Sequence, residues 1–154
     1  MPDIIKKEIQ NNINLYYIPD TKYKTVSMSL FLHRKLSRDE ATFNAMLSKI
    51  LRCGTSKHSD ITSLNLYAEE LYGTLYDVNI TKKAYAQSLV SSINFLSDKY
   101  TTESIVSEGI EFMLDLIFKP YIKDDAFCKA YLDIEKQRYI REIVVAVAGN
   151  NIQK

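Results

Sequence analysis

Glycine, histidine, cysteine and surplus charge are all scarce in this 154-residue chain, and each scarcity removes a class of function. The four glycines, Gly54, Gly73, Gly109 and Gly149, stand alone, so neither a glycine-rich phosphate loop nor a dinucleotide fingerprint can be written. The two histidines, His33 and His58, and the two cysteines, Cys53 and Cys128, supply no C-x-x-C pair and no H-x-x-x-H helical pair, which argues against a closed zinc site. Twenty Lys+Arg against nineteen Asp+Glu leave a net +1, too little field to concentrate nucleic acid or anionic lipid. The longest apolar run, Ile143 to Ala148, falls far short of the ~20 residues that cross a bilayer, and the segment from Met1 to Lys7 lacks the apolar core of a secretion signal. Cytoplasmic location, reduced and partly buried thiols, and no nucleic-acid or membrane partner are the expectations.

What is present is an ordinary globular mixture, 46% apolar and 25% charged, on a length that suits one domain, residues 1–154. Residues 4–10 and 13–18 flank Asn11-Asn12, a pair that tolerates positive φ, and predict a hairpin. Val26, Met28, Leu30 and Leu32 alternate with polar neighbours, the period of a half-buried strand. Ser37-Arg38-Asp39-Glu40 fits a capping box and opens a predicted helix over 38–53, with Gly54 placed to stop it in a left-handed conformation. A second helix, about 60–72, ends at Gly73 by the same device. Alternation returns over 74–80 and 84–96, a hairpin connected by Thr81-Lys82-Lys83. Thr101 or Thr102 can cap a third helix that Lys119-Pro120 ends. A fourth runs from near Asp124 to about Ile143, followed by a tail that starts another strand or frays. The order β-β-β-α-α-β-β-α-α gives an α+β class, with a mostly antiparallel sheet and helices packed on one face.

Isolated candidates for chemistry are weak. His33 and His58 each lack a second imidazole and suit satisfied polar positions. Lys22, Lys24, Arg34, Lys35 and Arg38 form a basic stretch beside Tyr23 and Phe31, but Asp20, Asp39 and Glu40 interrupt it, as in a solvated rim. Tyr16, Tyr17, Tyr67, Tyr72 and Tyr76 suit core, rim or interface packing.

Four segments in order, Asn12 to Pro19, Thr25 to Leu32, Leu51-Arg52-Cys53-Gly54-Thr55-Ser56-Lys57 and Glu70-Leu71-Tyr72-Gly73-Thr74, carry a family likeness. Over about residues 8–143 the chain resembles the N-terminal domain of pitrilysin/insulinase-type zinc peptidases, most closely the non-catalytic bacterial members associated with elongation factor P modification. In active relatives the helix ending at the Gly-Thr carries the inverted zinc motif H-x-x-E-H, whose imidazoles hold the metal and whose carboxylate deprotonates its water. Setting Gly54-Thr55 on that Gly-Thr places the motif on Ala45-Met46-Leu47-Ser48-Lys49. Both histidine positions and the glutamate position are then Ala45, Lys49 and Ser48: a methyl group, an ammonium that repels a divalent cation, and a hydroxyl too weakly basic to activate water.

Active relatives take their last zinc ligand from a glutamate on a later helix, with another glutamate seven residues before it, and Glu135 and Glu142 stand seven apart here. The resemblance makes them relic carboxylates, with Glu142 free to form an ion pair with Lys49 in place of the metal. The alternative is that both are ordinary solvated helix positions. The resemblance implies no catalytic residue, metal or cofactor, and a non-catalytic subunit that pairs with a homologous active peptidase around a peptide or protein substrate. It also implies a truncated N-terminal portion, because relatives carry several such domains, each longer than the stretch from Asn12 onward. Two other functions stay open: an active zinc peptidase using His33, His58 and Glu142, and a stand-alone domain binding peptide strands along a sheet edge.

Overall fold

The computed structural model describes residues 3–152; Met1 and Pro2 of the N-terminal segment and Gln153 and Lys154 of the tail lie outside them. Its class is α+β, with antiparallel sheets and four α-helices. Strands β1 (Ile5–Gln10) and β2 (Ile13–Tyr17) form the expected hairpin, and Asn12 takes the positive φ of 65° that the turn requires. This hairpin is a two-stranded sheet of its own. The main sheet has the order β3-β5-β4, built from β3 (Thr25–Lys35), β4 (Leu75–Lys83) and β5 (Ala86–Leu96). The β4–β5 turn falls on Ala84-Tyr85 rather than on Thr81-Lys82-Lys83, because Ala84 adopts φ 50° and lets the strand continue through Lys83.

Helices α1 (Ala41–Ile50), α2 (Ile61–Glu70), α3 (Val106–Phe118) and α4 (Lys129–Ile152) complete the domain. Helix α1 starts later than expected and the Ser37–Glu40 capping box does not form. Glu40 is the N-cap without a side-chain cap bond, and its carboxylate turns instead to the Arg34 guanidinium at 2.9 Å. The box belongs to α2, where Asp60 accepts from the Ser63 N–H at 2.9 Å and the Ser63 hydroxyl reaches back. Neither Thr101 nor Thr102 caps α3: one hydroxyl donates to the Glu103 carbonyl and the other pairs with the Tyr72 hydroxyl. Asp98, in a short 3-10 turn, takes over by accepting from the Ile105 N–H at 3.0 Å and is held below the usual carboxylate range by its Ser104 and backbone hydrogen bonds.

Asp124 does not open a helix. Asp124 and Asp125, at φ 53° and 58°, turn a small hairpin between β6 (Ile122–Lys123) and β7 (Ala126–Phe127). Helix α4 then runs through the tail that was expected to fray or to start a strand. The core sits where α3 lies on β5 and α2 closes from the side. Leu64, Val78, Ile93 and Leu116 are fully buried there, each contributing about 1.5–3 kcal/mol. Tyr67 and Tyr76 set their edges against Phe112, with centroids 5.3 and 5.1 Å away. Gly109 lets α3 approach the sheet, since a Cβ there would meet the Phe95 ring at 3.3 Å.

Candidate functional site

The turn of α1 that the resemblance aligns with the zinc motif faces α4. Ser48 is buried and its hydroxyl donates to the Ala45 carbonyl at 2.9 Å, so it serves the helix backbone. Lys49 follows, and its Nζ donates to both carboxylate oxygens of Glu142 at 3.0 and 2.9 Å. The same ammonium lies 5.5 Å from the centre of the Tyr139 ring, a cation–π distance. Helical geometry explains the convergence: Glu135, Arg138, Tyr139 and Glu142 recur at spacings of three and four and share one face of α4. The ion pair implied by the resemblance is therefore present.

Glu135 departs from the solvated alternative. It is only 5% exposed, with one oxygen 3.0 Å from the Arg138 guanidinium and the other enclosed without a hydrogen-bond partner among the described residues. Glu142, by contrast, has a half-exposed side chain. Beside them a cleft of about 450 Å³ opens between α1, α2 and the start of β4, lined by Lys49, Arg52, Asn65, Tyr76, Asp77 and Arg138 among others. Arg52 and Asp77 pair across it at 3.1 Å. Burial, then the negative charge of Glu135, pushes the Cys53 thiol up, so this wall of the cleft carries a protonated thiol donating to the Lys49 carbonyl at 3.4 Å. Both cysteines are free and partly buried.

The end of α1 is anchored by its own loop. Gly54 is not left-handed, contrary to expectation. It is glycine because a Cβ would lie 2.9 Å from the Ser59 backbone, where the loop folds back through a Thr55 N–H to His58 carbonyl bond of 2.7 Å. Gly73 does take φ 72°. Thr55 bridges to Pro120, and Ser56 and Tyr121 exchange backbone bonds with Lys119 and Gly54. Asp115, buried on α3, clamps this junction by accepting from Lys119 at 2.9 Å and Lys57 at 3.2 Å. Burial alone would raise its carboxyl, but the two ammonium groups outweigh that and hold it below the usual range. The Asp115–Lys119 spacing is the one sequence signal for this clamp; the part played by Lys57 has none.

The remaining sequence candidates are dispersed. His33 pairs through Nδ1 with the buried Ser88 hydroxyl at 2.7 Å across the β3–β5 ladder, His58 stacks on Tyr67 with centroids 4.5 Å apart, and Glu142 is held by Lys49. Among the described residues no three His, Cys, Asp or Glu side chains converge as a metal cluster. The donor set at the aligned position, one carboxylate already neutralised by an ammonium beside a methyl and a hydroxyl, does not fit a zinc ion. The basic stretch is exposed, and no described helix is long and apolar enough to cross a membrane.

No family model matches the chain. Among curated proteins it is similar to a Bacillus subtilis (strain 168) protein named probable inactive metalloprotease YmfF, at 28% identity over 149 residues, covering 96% of this chain and 35% of that protein. Among solved structures it is similar to a conserved protein from Enterococcus faecalis V583, with a TM-score of 0.85 and 26% identity over 92% of this chain and 34% of the other. The 154 residues thus span about a third of either relative.

Proposed function

We propose that this chain is a catalytically inactive, metallopeptidase-like domain of pitrilysin/insulinase type, acting in the cytoplasm as the non-catalytic partner of a homologous active peptidase and contributing surface to peptide or protein substrates. The observation that carries the reading is the Lys49–Glu142 pair: an ammonium stands between α1 and α4 at the position the resemblance assigns to a metal. A bound divalent cation there would face a fixed positive charge about 3 Å from its one remaining carboxylate ligand and be repelled by it. The name of the Bacillus subtilis relative supports the inactive class; the pitrilysin/insulinase type and a link to elongation factor P modification rest on the resemblance in sequence.

The reaction itself also lacks a base. Ser48 is committed to the Ala45 carbonyl, and Glu135 is enclosed and turned to Arg138, so neither reaches a water held against a substrate carbonyl. Elemental analysis of the purified chain, together with hydrolysis of a quenched peptide library with and without chelator, tests the reading. Substoichiometric zinc and chelator-insensitive background are expected. Stoichiometric zinc with chelator-sensitive cleavage would overturn it.

A further inference from the structure

Strand β3 is an edge of the main sheet, and its hydrogen-bonding parity can be read from both ends. The Ser97 N–H donates to the Lys24 carbonyl and the Leu36 N–H to the Tyr85 carbonyl, each at 2.8 Å, and the β3–β5 register between them is unbroken. In an antiparallel ladder hydrogen-bonded pairs alternate, so the even residues from Lys24 to Leu36 bond to β5. The odd ones, Thr25, Ser27, Ser29, Phe31, His33 and Lys35, direct their N–H and C=O groups to the outer edge. No described strand takes them up. The core-facing side of β3 is also incompletely covered: no helix lies against it as α3 lies against β5, and Val26, Met28 and Leu30 are half-buried while Leu32 is exposed.

An 11-residue edge without proline, bulge or covering helix is what native proteins avoid leaving open. In both relatives the matched portion is about a third of a longer polypeptide. We propose that the outer edge of β3 is a strand-addition site completed by polypeptide of the kind that forms the other two thirds of those relatives. The added strand bonds to the odd residues, and the segment joined to it covers Val26, Met28, Leu30 and Leu32. This goes beyond the proposed function, since a homologous catalytic subunit would dock on a finished domain, whereas the edge calls for a strand that finishes this one.

Hydrogen exchange measured residue by residue on the 154-residue chain tests it, with and without the unmatched two thirds of the Bacillus subtilis relative produced as a separate polypeptide. Alone, the odd β3 amides should exchange faster than the even ones; with the probe they should slow by about tenfold or more. Ser29→Pro removes an outward N–H and spares the β5 ladder, so it should weaken the complex by about tenfold and leave the unfolding midpoint of the chain nearly unchanged. Phe43→Ala, on the exposed side of α1, should change neither the affinity nor the midpoint. Absence of a complex, a complex in which the odd amides stay fast, or a β3-mediated dimer of the chain that the probe does not displace would overturn the proposal. None of these outcomes bears on zinc content, so this inference and the loss of catalysis fail separately.

Discussion

Replacing Lys49 by Met tests whether the ammonium replaces a metal as the tie between α1 and α4. Methionine keeps the apolar stem that Lys49 buries and removes only the charge. The carboxylate partner is half exposed while the lysine is 15% exposed, so solvent screening limits the pair to the upper end of the range for exposed ion pairs, about 1 kcal/mol. The Tyr139 ring adds about 0.5–1 kcal/mol of cation–π attraction. Lys49→Met should therefore cost about 1–2 kcal/mol, which for a domain of this length lowers Tm by about 2–8 °C. In a double-mutant cycle with Glu142→Gln, the two changes should be non-additive by about 1 kcal/mol, because each removes the same interaction. Raising the salt to about 1 M should shrink that coupling, since screening then acts within about 3 Å. Strict additivity at low salt, or a Lys49→Met chain as stable as the parent, would refute the reasoning.

Gly54→Ala should destabilise by about 1–3 kcal/mol, since the new methyl meets the Ser59 backbone at 2.9 Å; a lower denaturant midpoint at unchanged slope would show it. Because the folded-state pKa of Asp115 is lowered, its contribution is full above the ordinary carboxylate pKa of about 4 and is lost as pH falls through the folded value. Asp115→Asn should accordingly flatten the acid limb of stability against pH and lower stability at neutral pH. Gly73→Ala, at φ 72°, should cost about 1 kcal/mol, measurable in the same titration.

Helix faces and strand alternation were legible because they follow from apolar spacing alone. The first hairpin, the left-handed Gly73 after α2 and the end of α3 at Lys119-Pro120 fall where the pattern puts them, whereas the β4–β5 turn lies further on, at Ala84-Tyr85. The failures share a physical cause: a local polar signal was spent on a distant partner. Glu40 left its capping box for Arg34, Thr102 met Tyr72, and Asp98 capped α3 from seven residues away. Gly54 was identified as special for the wrong reason, since a close approach by Ser59 is a tertiary event that no turn rule contains. At the site, the Lys49–Glu142 pair was legible only through the resemblance, as 93 residues separate its members. The burial of Glu135 was not legible, because it comes from the packing of α1 on α4, a tertiary contact that the spacing of residues along α4 does not signal.

The β1–β2 hairpin and the second half of α4 expose many apolar side chains, Ile5, Tyr16, Ile140 and Val145 among them, surface that the proposed association with further polypeptide would cover. They give no direction on chemistry. That question turns on the α1–α4 contact, where two side-chain substitutions distinguish a cradle for a cation from a protein that carries its own.

Zinc titration of the parent chain beside an Ala45→His/Lys49→His variant, followed by calorimetry, addresses this contact most directly. The account predicts no saturable site in the parent and about one equivalent bound by the variant, whose two imidazoles one turn apart would face the freed Glu142. Stoichiometric zinc on the parent, or none on a folded variant, would contradict it.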